Sequence, residues 1–195
     1  MNVKATHLIV AAALVMVFMG LSACSTTPAG KSDKEQQQDS VREMANTTLA
    51  QLYTKNPTAR DVIARSAGYA VFSDFGFKVW TMGGARGKGV AVNNATQKRS
   101  FMEMLEFQPG MGFGAYRFRV VFIFDTQEAF NSFVTSGWEF GVNAMAAAKT
   151  QIEGGALAGA ITASKGVKML QLDDEGAIVG VSLTAAKYYK DKELN

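Results

Sequence analysis

"GFGAYRFRVVFIF", residues 112–124, is the segment that decides the fold class. Its side chains alternate in type, and that two-residue period predicts a β-strand, because successive side chains of a strand point to opposite faces. The strand starts after a Pro109-Gly110 turn. One face carries the large apolar side chains Tyr116, Phe118, Val120, Phe122 and Phe124, and the other carries Arg117 and Arg119.

Further strands are predicted on both sides of this segment. The stretch "KRSFMEMLEF" (98–107) alternates, with Arg99, Phe101, Glu103, Leu105 and Phe107 on one side. "YAVFSDF" (69–75) and "GKGVAVNN" (87–94) are short, apolar and β-prone. Later in the chain, "VKMLQL" (167–172) and "AIVGVSL" (177–183) flank "DDEG", which is a strong hairpin signal.

Helices are predicted mainly before the strands. Apolar residues at helical spacing indicate one helix from about Asp39 to before Pro57 and a second from Thr58 to Gly68. Another should run from Asp125 to Gly137, and the period of "WEFGVNAMAAAKT" (138–150) suits either a helix or a strand. We therefore expect an α+β fold, with a strongly curved antiparallel sheet, open or barrel-like, and the N-terminal helices packed on it.

The glycine-rich stretch "GGARGKGVAV" (83–92) resembles a phosphate-binding loop only in composition. Such a loop needs Lys followed by Ser or Thr at the start of a helix, so that helix-terminal N–H groups face the phosphate. Here Lys88 is followed by Gly89 and a strand pattern. The glycines instead favour a sharp bend or a close approach of two backbone segments.

The N-terminus has the features of a secretory signal. Residues 8–19 are apolar but fewer than the roughly 18 that a spanning helix needs. The signal ends in "LSAC" (21–24), which resembles a bacterial lipobox and implies that Cys24 is the lipid attachment site. Residues 1–23 are then a lipoprotein signal peptide, 24–38 a flexible tether and 39–195 a single domain. Ser25 follows Cys24 where an aspartate would suggest inner-membrane retention, so we expect attachment to the outer membrane, facing the periplasm.

Composition excludes most catalytic sites. The sequence has one histidine, His7 in the signal, and one cysteine, Cys24. Histidine triads, Cys-His pairs and histidine or thiolate zinc sites are therefore excluded after processing, and we expect no cofactor. A hydrolase would need carboxylates such as Glu103, Asp173 or Glu175 to converge. A net charge of +3 over 195 residues in an envelope protein argues against nucleic acid as a partner.

Several blocks resemble, in order, those of the SYLF domain, also called the Ysc84 domain. They are "SAGYAVF", "GGARGKGVAV", "GMGFGAYRFRVVFIFDTQEAFNSF", "FGVNAMAAA" and "AIVGVSL", and the resemblance covers roughly residues 45–190. Family members are described as lipid-binding domains, and bacterial members are often envelope lipoproteins. The resemblance thus implies lipid binding.

Six cations on neighbouring strand segments are the candidate head-group site. Arginine's planar fork suits phosphate oxygens. The alternative is a solvated sheet face on which these cations pair across strands with Glu103 and Glu106. The six are Arg86, Lys88, Lys98, Arg99, Arg117 and Arg119.

A second candidate contact is "EGGALAGAITASKG" (153–166), which either covers a lipid pocket or forms part of the sheet wall. Taken together, the sequence predicts an envelope-anchored, non-enzymatic protein that binds phospholipid or a related amphiphile. The alternative is a structural or protein-interaction module that uses its exposed sheet face for an envelope protein partner.

Overall fold

A computed structural model describes residues 32–141, 157–179 and 185–195, and in these it has three helices and eight strands. The α+β prediction is confirmed. The helices are α1 (Asp33–Lys55), α2 (Thr58–Arg65) and α3 (Gln127–Ser136). The strands are β1 (Gly68–Asn93), β2 (Arg99–Tyr116), β3 (Arg119–Phe124), β4 (Trp138–Phe140), β5 (Ile161–Ser164), β6 (Val167–Leu172), β7 (Ile178–Val179) and β8 (Ala185–Lys190).

All the strands belong to one antiparallel sheet that curls into a half-barrel. Its order is β4-β8-β2-β1-β3-β6-β5, and β7 pairs with β6. The hairpin predicted around "DDEG" is confirmed by the pairing of Leu172 with Ile178. Within 153–166, Ile161–Ser164 form β5 and pair with β6, whereas 153–156 lie outside the described residues.

The long strand β1 folds back on itself. Ideal Cβ atoms placed on Gly76 and Gly87 would lie 2.7 Å from the Ala85 Cβ and 3.0 Å from the Asp74 Cα. Just outside the strand, Asn94 N–H donates to the Ala67 carbonyl oxygen at 3.1 Å. These contacts place the two arms of β1 side by side, with the reversal at Trp80, whose φ is 59°.

β2 wraps around the end of this folded strand. Its first part, Arg99–Pro109, pairs with the second arm of β1, and its last part, Gly112–Tyr116, pairs with the first arm. β3 continues that pairing from Arg119 onward. The result is a four-stranded section whose outer end projects beyond the helices.

We call the side of the sheet under α1 and α2 the helix face. Leu49 and Leu52 of α1 and Ile63 of α2 are buried there. The sheet residues that pack against them are Val71, Val90, Val92, Phe101, Val121, Ile123, Leu170 and Leu172.

We call the opposite side the aromatic face. There Phe122 lies 5.4 Å from Phe133 of α3 and 4.9 Å from Tyr188 of β8, measured between ring centroids. Phe72 and Phe124 are fully buried in the same cluster. The alternation predicted for residues 98–107 and 120–124 is therefore confirmed, with Met102 and Met104 on the aromatic face.

α1 begins at Asp33, so the prediction of a tether as far as residue 38 was wrong for residues 33–38. Contacts with the end of the chain explain the earlier start. Lys34 Nζ donates to the Asn195 carbonyl oxygen at 2.9 Å, and Gln38 Nε2 donates to the Leu194 carbonyl oxygen at 2.7 Å. A pattern within one segment carries no information about such long-range bonds.

Gly89 provides a test of the fold-back. A Cβ at this position would lie 2.5 Å from the Val71 carbonyl oxygen and would also overlap the Phe72 ring. We expect Gly89→Ala to lower the free energy of unfolding by about 1–3 kcal/mol, because the arms must separate or the ring must move. Denaturant unfolding would measure this.

Gly141→Ala is the matched control, because a Cβ there meets no atom within 4 Å. Its effect should stay within about 0.5 kcal/mol. Equal effects of the two substitutions would contradict the close packing of the β1 arms.

Candidate functional site

The projecting end of the sheet exposes large apolar side chains that a folded core would normally bury. We call this section, Phe75–Arg86 of β1 with Leu105–Tyr116 of β2, the extension. Met111 is 84% exposed, Phe113 74% and Trp80 66%. The full set is Phe75, Phe77, Val79, Trp80, Met82, Leu105, Phe107, Met111 and Phe113. Contiguous exposure on this scale usually marks a binding surface.

Most of these side chains belong to one side of the extension, which we call the apolar face. Phe75, Phe77 and Val79 continue the alternation of buried Val71, so they lie on the helix face. Leu105 and Phe107 alternate with buried Phe101 on β2, so they also lie on the helix face. The contacts of α1 and α2 lie further down, on Val71, Val90 and Val92, so the helices leave the apolar face uncovered.

A shallow groove of about 340 Å³ lies on the apolar face. Phe75, Phe77 and Leu105 line it, together with Arg86 and Gly84. Gly84 has no side chain that would fill the groove, and a Cβ at this position would lie 3.2 Å from the Glu106 carbonyl oxygen. The groove is open and mostly apolar, which suits a flexible hydrocarbon chain.

A second pocket, of about 460 Å³, lies where the apolar face meets the helix-covered part of the sheet, and we call it the polar pocket. Phe75 and Arg86 line both this pocket and the groove. The Arg117 guanidinium carbon lies 5.9 Å from the centroid of the Phe75 ring. The residues lining the polar pocket are Ser73, Asp74, Phe75, Arg86, Gly87, Lys88, Glu103, Met104, Arg117 and Tyr189.

The charges in the polar pocket differ in their bonding. Lys88 Nζ donates to Asp191 Oδ2 at 2.8 Å, and this aspartate side chain is fully buried. Tyr189 donates its hydroxyl proton to Glu103 Oε2 at 2.9 Å, and this bond is the main reason that the pKa of Tyr189 is raised. The charge of Lys88 is therefore neutralised within the protein, whereas Arg86, Arg117 and Glu103 surround the open space.

The six cations predicted as one cluster are divided among three places. Arg86, Lys88 and Arg117 line the polar pocket. Arg119 instead bonds to Gln51 and lies 3.7 Å from Asp174. Arg119 lies two residues before Val121 on β3, so both side chains are on the helix face, toward α1.

Lys98 and Arg99 lie at the far end of the sheet, because Arg99 pairs with Val92 beside the turn that joins β1 to β2. There they line a separate pocket of about 570 Å³ with Lys190. The predicted single cluster was therefore wrong in membership. The strand register that separates these residues is not visible in the sequence.

The carboxylates needed for hydrolysis lie apart. Glu103 lines the polar pocket, whereas Asp173 accepts N–H bonds from Glu175 and Ala177 in the turn between β6 and β7. In the part of the chain that the structure describes, no three Asp, Glu, His or Cys side chains form a metal site. No helix among the described residues is long and apolar enough to cross a membrane. Cys24 lies outside the described residues.

A pair of buried carboxyl groups, Asp74 and Glu106, lies on the aromatic face behind the extension. Asp74 Oδ1 accepts the Phe118 N–H at 2.8 Å, and no N–H or hydroxyl donor in the described residues reaches Oδ2. A hydrogen bond between the Asp74 and Glu106 carboxyl groups requires a proton on one of them, because a carboxylate can only accept. Burial and the two carboxyl groups raise the pKa of nearby Tyr116 to about 12.

One feature of the sequence indicated the buried carboxyl pair. Glu106 occupies a position whose alternation partners, Met102 and Met104, are apolar and buried. The proximity of the two groups depends on the fold-back of β1, which brings Gly76 next to Ala85, the residue paired with Glu106 on β2.

Comparison with known proteins gives little functional information. No family model matches the chain. The chain is similar to "Beta cell expansion factor A" of Aeromonas veronii, with 30% identity over 156 residues, which is 79% of this chain and 57% of that protein. It therefore spans little more than half of that relative.

The Asp74–Glu106 pair predicts a pH dependence of stability. Burial, its largest influence, raises the pKa of Asp74 above the ordinary value of 3.8, and the hydrogen bonds from Phe118 and Glu106 offset only part of this. Above pH 3.8 the folded state therefore binds more protons than the unfolded state. The free energy of unfolding should fall as the pH rises from 3.8 through the raised pKa.

Asp74→Asn should flatten this fall, because the amide still accepts from Phe118 and donates to Glu106 without titrating. Denaturant unfolding at several pH values between about 4 and 8 would measure the slope. Glu128→Gln, which removes an exposed carboxyl group of α3, is the control. A slope in Asp74→Asn as steep as in the unaltered protein would contradict the raised pKa of Asp74.

Proposed function

We propose that this protein is an envelope-anchored lipoprotein that binds phospholipid without catalysing a reaction, and that the apolar face makes the lipid contact. The observation that carries the proposal is the cluster of large apolar side chains exposed on the extension. Each phenylalanine transferred from water into hydrocarbon contributes roughly 1.5–3 kcal/mol. A few such side chains are enough for stable association with a bilayer surface.

The order of residue types along the extension favours lipid over a protein partner. Trp80 and Phe113 stack edge to face at the tip, with centroids 6.3 Å apart, and aromatic rings of this kind are favoured at membrane interfaces. Arg86 and Arg117 lie behind them, at the level where phosphates would be. β1 contains no Asp or Glu between Phe75 and Arg86, so this part of the apolar face carries no carboxylate.

The sequence supports the same location. Acylation of Cys24 in the lipobox would hold the domain at a bilayer, because more than one acyl chain anchors a protein stably. The resemblance to SYLF domains implies lipid binding independently of the anchor. We place the protein on the periplasmic side of the outer membrane. The relative's name identifies no ligand and adds no support.

Phe77→Asp tests the lipid contact directly. Phe77 is 62% exposed, so the substitution should leave the fold intact while placing a charge on the apolar face. We expect a loss of vesicle affinity of about tenfold or more, since about 1.4 kcal/mol corresponds to a factor of ten. Sedimentation with phospholipid vesicles would measure it, in chains that all carry Cys24→Ser so that no acyl group contributes.

Ser132→Asp is the matched control, because it adds the same charge to an exposed position of α3, away from the extension. It should bind vesicles like the parent chain. If Phe77→Asp binds vesicles as well as Ser132→Asp, the apolar face does not contact lipid. If neither the parent chain nor the control binds any vesicle, the face is better explained by a protein partner.

A further inference from the structure

The polar pocket contains charges of both signs that the fold does not pair with each other. No ion pair of 4.0 Å or less joins Arg86, Arg117 or Glu103 to another residue in the described part of the chain. Lys88, the remaining cation, is neutralised by buried Asp191. Asp74 also lines the pocket, but it is buried and accepts the Phe118 N–H. The open space is thus bordered by two available guanidinium groups and by the half-buried carboxylate of Glu103.

Each of these groups has capacity left for a ligand. A carboxylate has about four acceptor positions, and the Tyr189 hydroxyl occupies one position on Glu103. Arg86 is exposed, and Arg117 lies over the Phe75 ring, where the buried Asp74 is the nearby acidic group. Arginine binds phosphate oxygens in a bidentate manner, and a carboxylate accepts strong hydrogen bonds from a primary ammonium group.

We propose that the polar pocket binds the head group of a zwitterionic phospholipid, with the phosphate at Arg86 and Arg117 and a primary ammonium group at Glu103. This rests on the proposed lipid function and names the lipid class that it favours. A purely anionic head group could bind Arg86 and Arg117 but would supply no cationic donor to Glu103. An ethanolamine head group supplies both charges, and its N–H donors, which choline lacks, match an acceptor.

The position of the pocket fits a lipid that stays in its bilayer. Phe75 and Arg86 border both the polar pocket and the apolar groove, so a head group in the pocket has its acyl chains beside the apolar face. The groove, at about 340 Å³, is open along the face and does not enclose the chains. The head group is therefore bound at the membrane surface while the lipid stays in the bilayer.

Two measurements on chains carrying Cys24→Ser test the proposal. The first is vesicle sedimentation with phosphatidylcholine alone and mixed with either phosphatidylethanolamine or phosphatidylglycerol. The second is titration with water-soluble glycerophosphoethanolamine, followed by NMR shifts of residues around the pocket. We expect tighter binding to the ethanolamine vesicles than to the other two, and saturable shifts at Arg86, Glu103 and Arg117.

Glu103→Gln should reduce the ethanolamine preference about tenfold while keeping the weaker binding to phosphatidylcholine, because only the charged hydrogen bond is lost. This comparison is decisive, since ethanolamine lipids also loosen bilayer packing, and packing acts equally on both chains. Tyr189→Phe keeps every charge and should retain the preference. Lys98→Ala removes a cation from the distant pocket and should change nothing.

The possible failures can be distinguished. Equal binding to all three vesicle types, or an ethanolamine preference that survives Glu103→Gln, overturns the head-group assignment and leaves the lipid function standing. Stronger binding to phosphatidylglycerol that increases in Glu103→Gln identifies an anion site and also overturns it. Absence of binding to every vesicle removes the proposed function and the head-group assignment together.

Discussion

The close approach of the two arms of β1 is the constraint on which the rest of the structure depends. Gly87 and Gly89 have no Cβ, and the space that a Cβ would take is filled by the Ser73 and Val71 carbonyl oxygens, each 2.5 Å from the ideal Cβ position. β2 pairs with both arms, and β3 continues the same register along the first arm, so the fold-back of β1 also bends these partner strands. The fold-back also places a projecting sheet end above a base that is buried on both faces.

That buried base explains how the protein tolerates an exposed apolar surface. Phe72, Phe122 and Phe124 on one side and Val71, Val121 and Ile123 on the other are fully buried. The hydrophobic stabilisation of the domain is therefore already present without the extension. The side chains beyond the helices are free to contact something else, and polarity changes in order from core to charges to apolar tip.

The parts of the fold that depend on local periodicity could be predicted from the sequence. The alternation of residues 98–107 and 120–124 identified both faces of their strands, because a two-residue repeat is a local property. Strand register was not visible, so Lys98, Arg99 and Arg119 were wrongly grouped with Arg86, Lys88 and Arg117. The reversal of β1 was also missed, since Trp80-Thr81 lacks the Asn or Gly that usually indicates a tight hairpin turn. The start of α1 was misplaced because it depends on bonds to the opposite end of the chain.

Trp80 combines two features that are rarely selected together. Its φ of 59° lies in the left-handed region, where a side chain costs about 1 kcal/mol or more and glycine costs nothing. Its indole is nevertheless two-thirds exposed, and its edge-to-face contact with Phe113 offsets part of that cost. A glycine at this turn would remove the backbone cost and, with it, the aromatic ring at the tip. Backbone stability and the exposed aromatic surface therefore make opposite demands on a single residue.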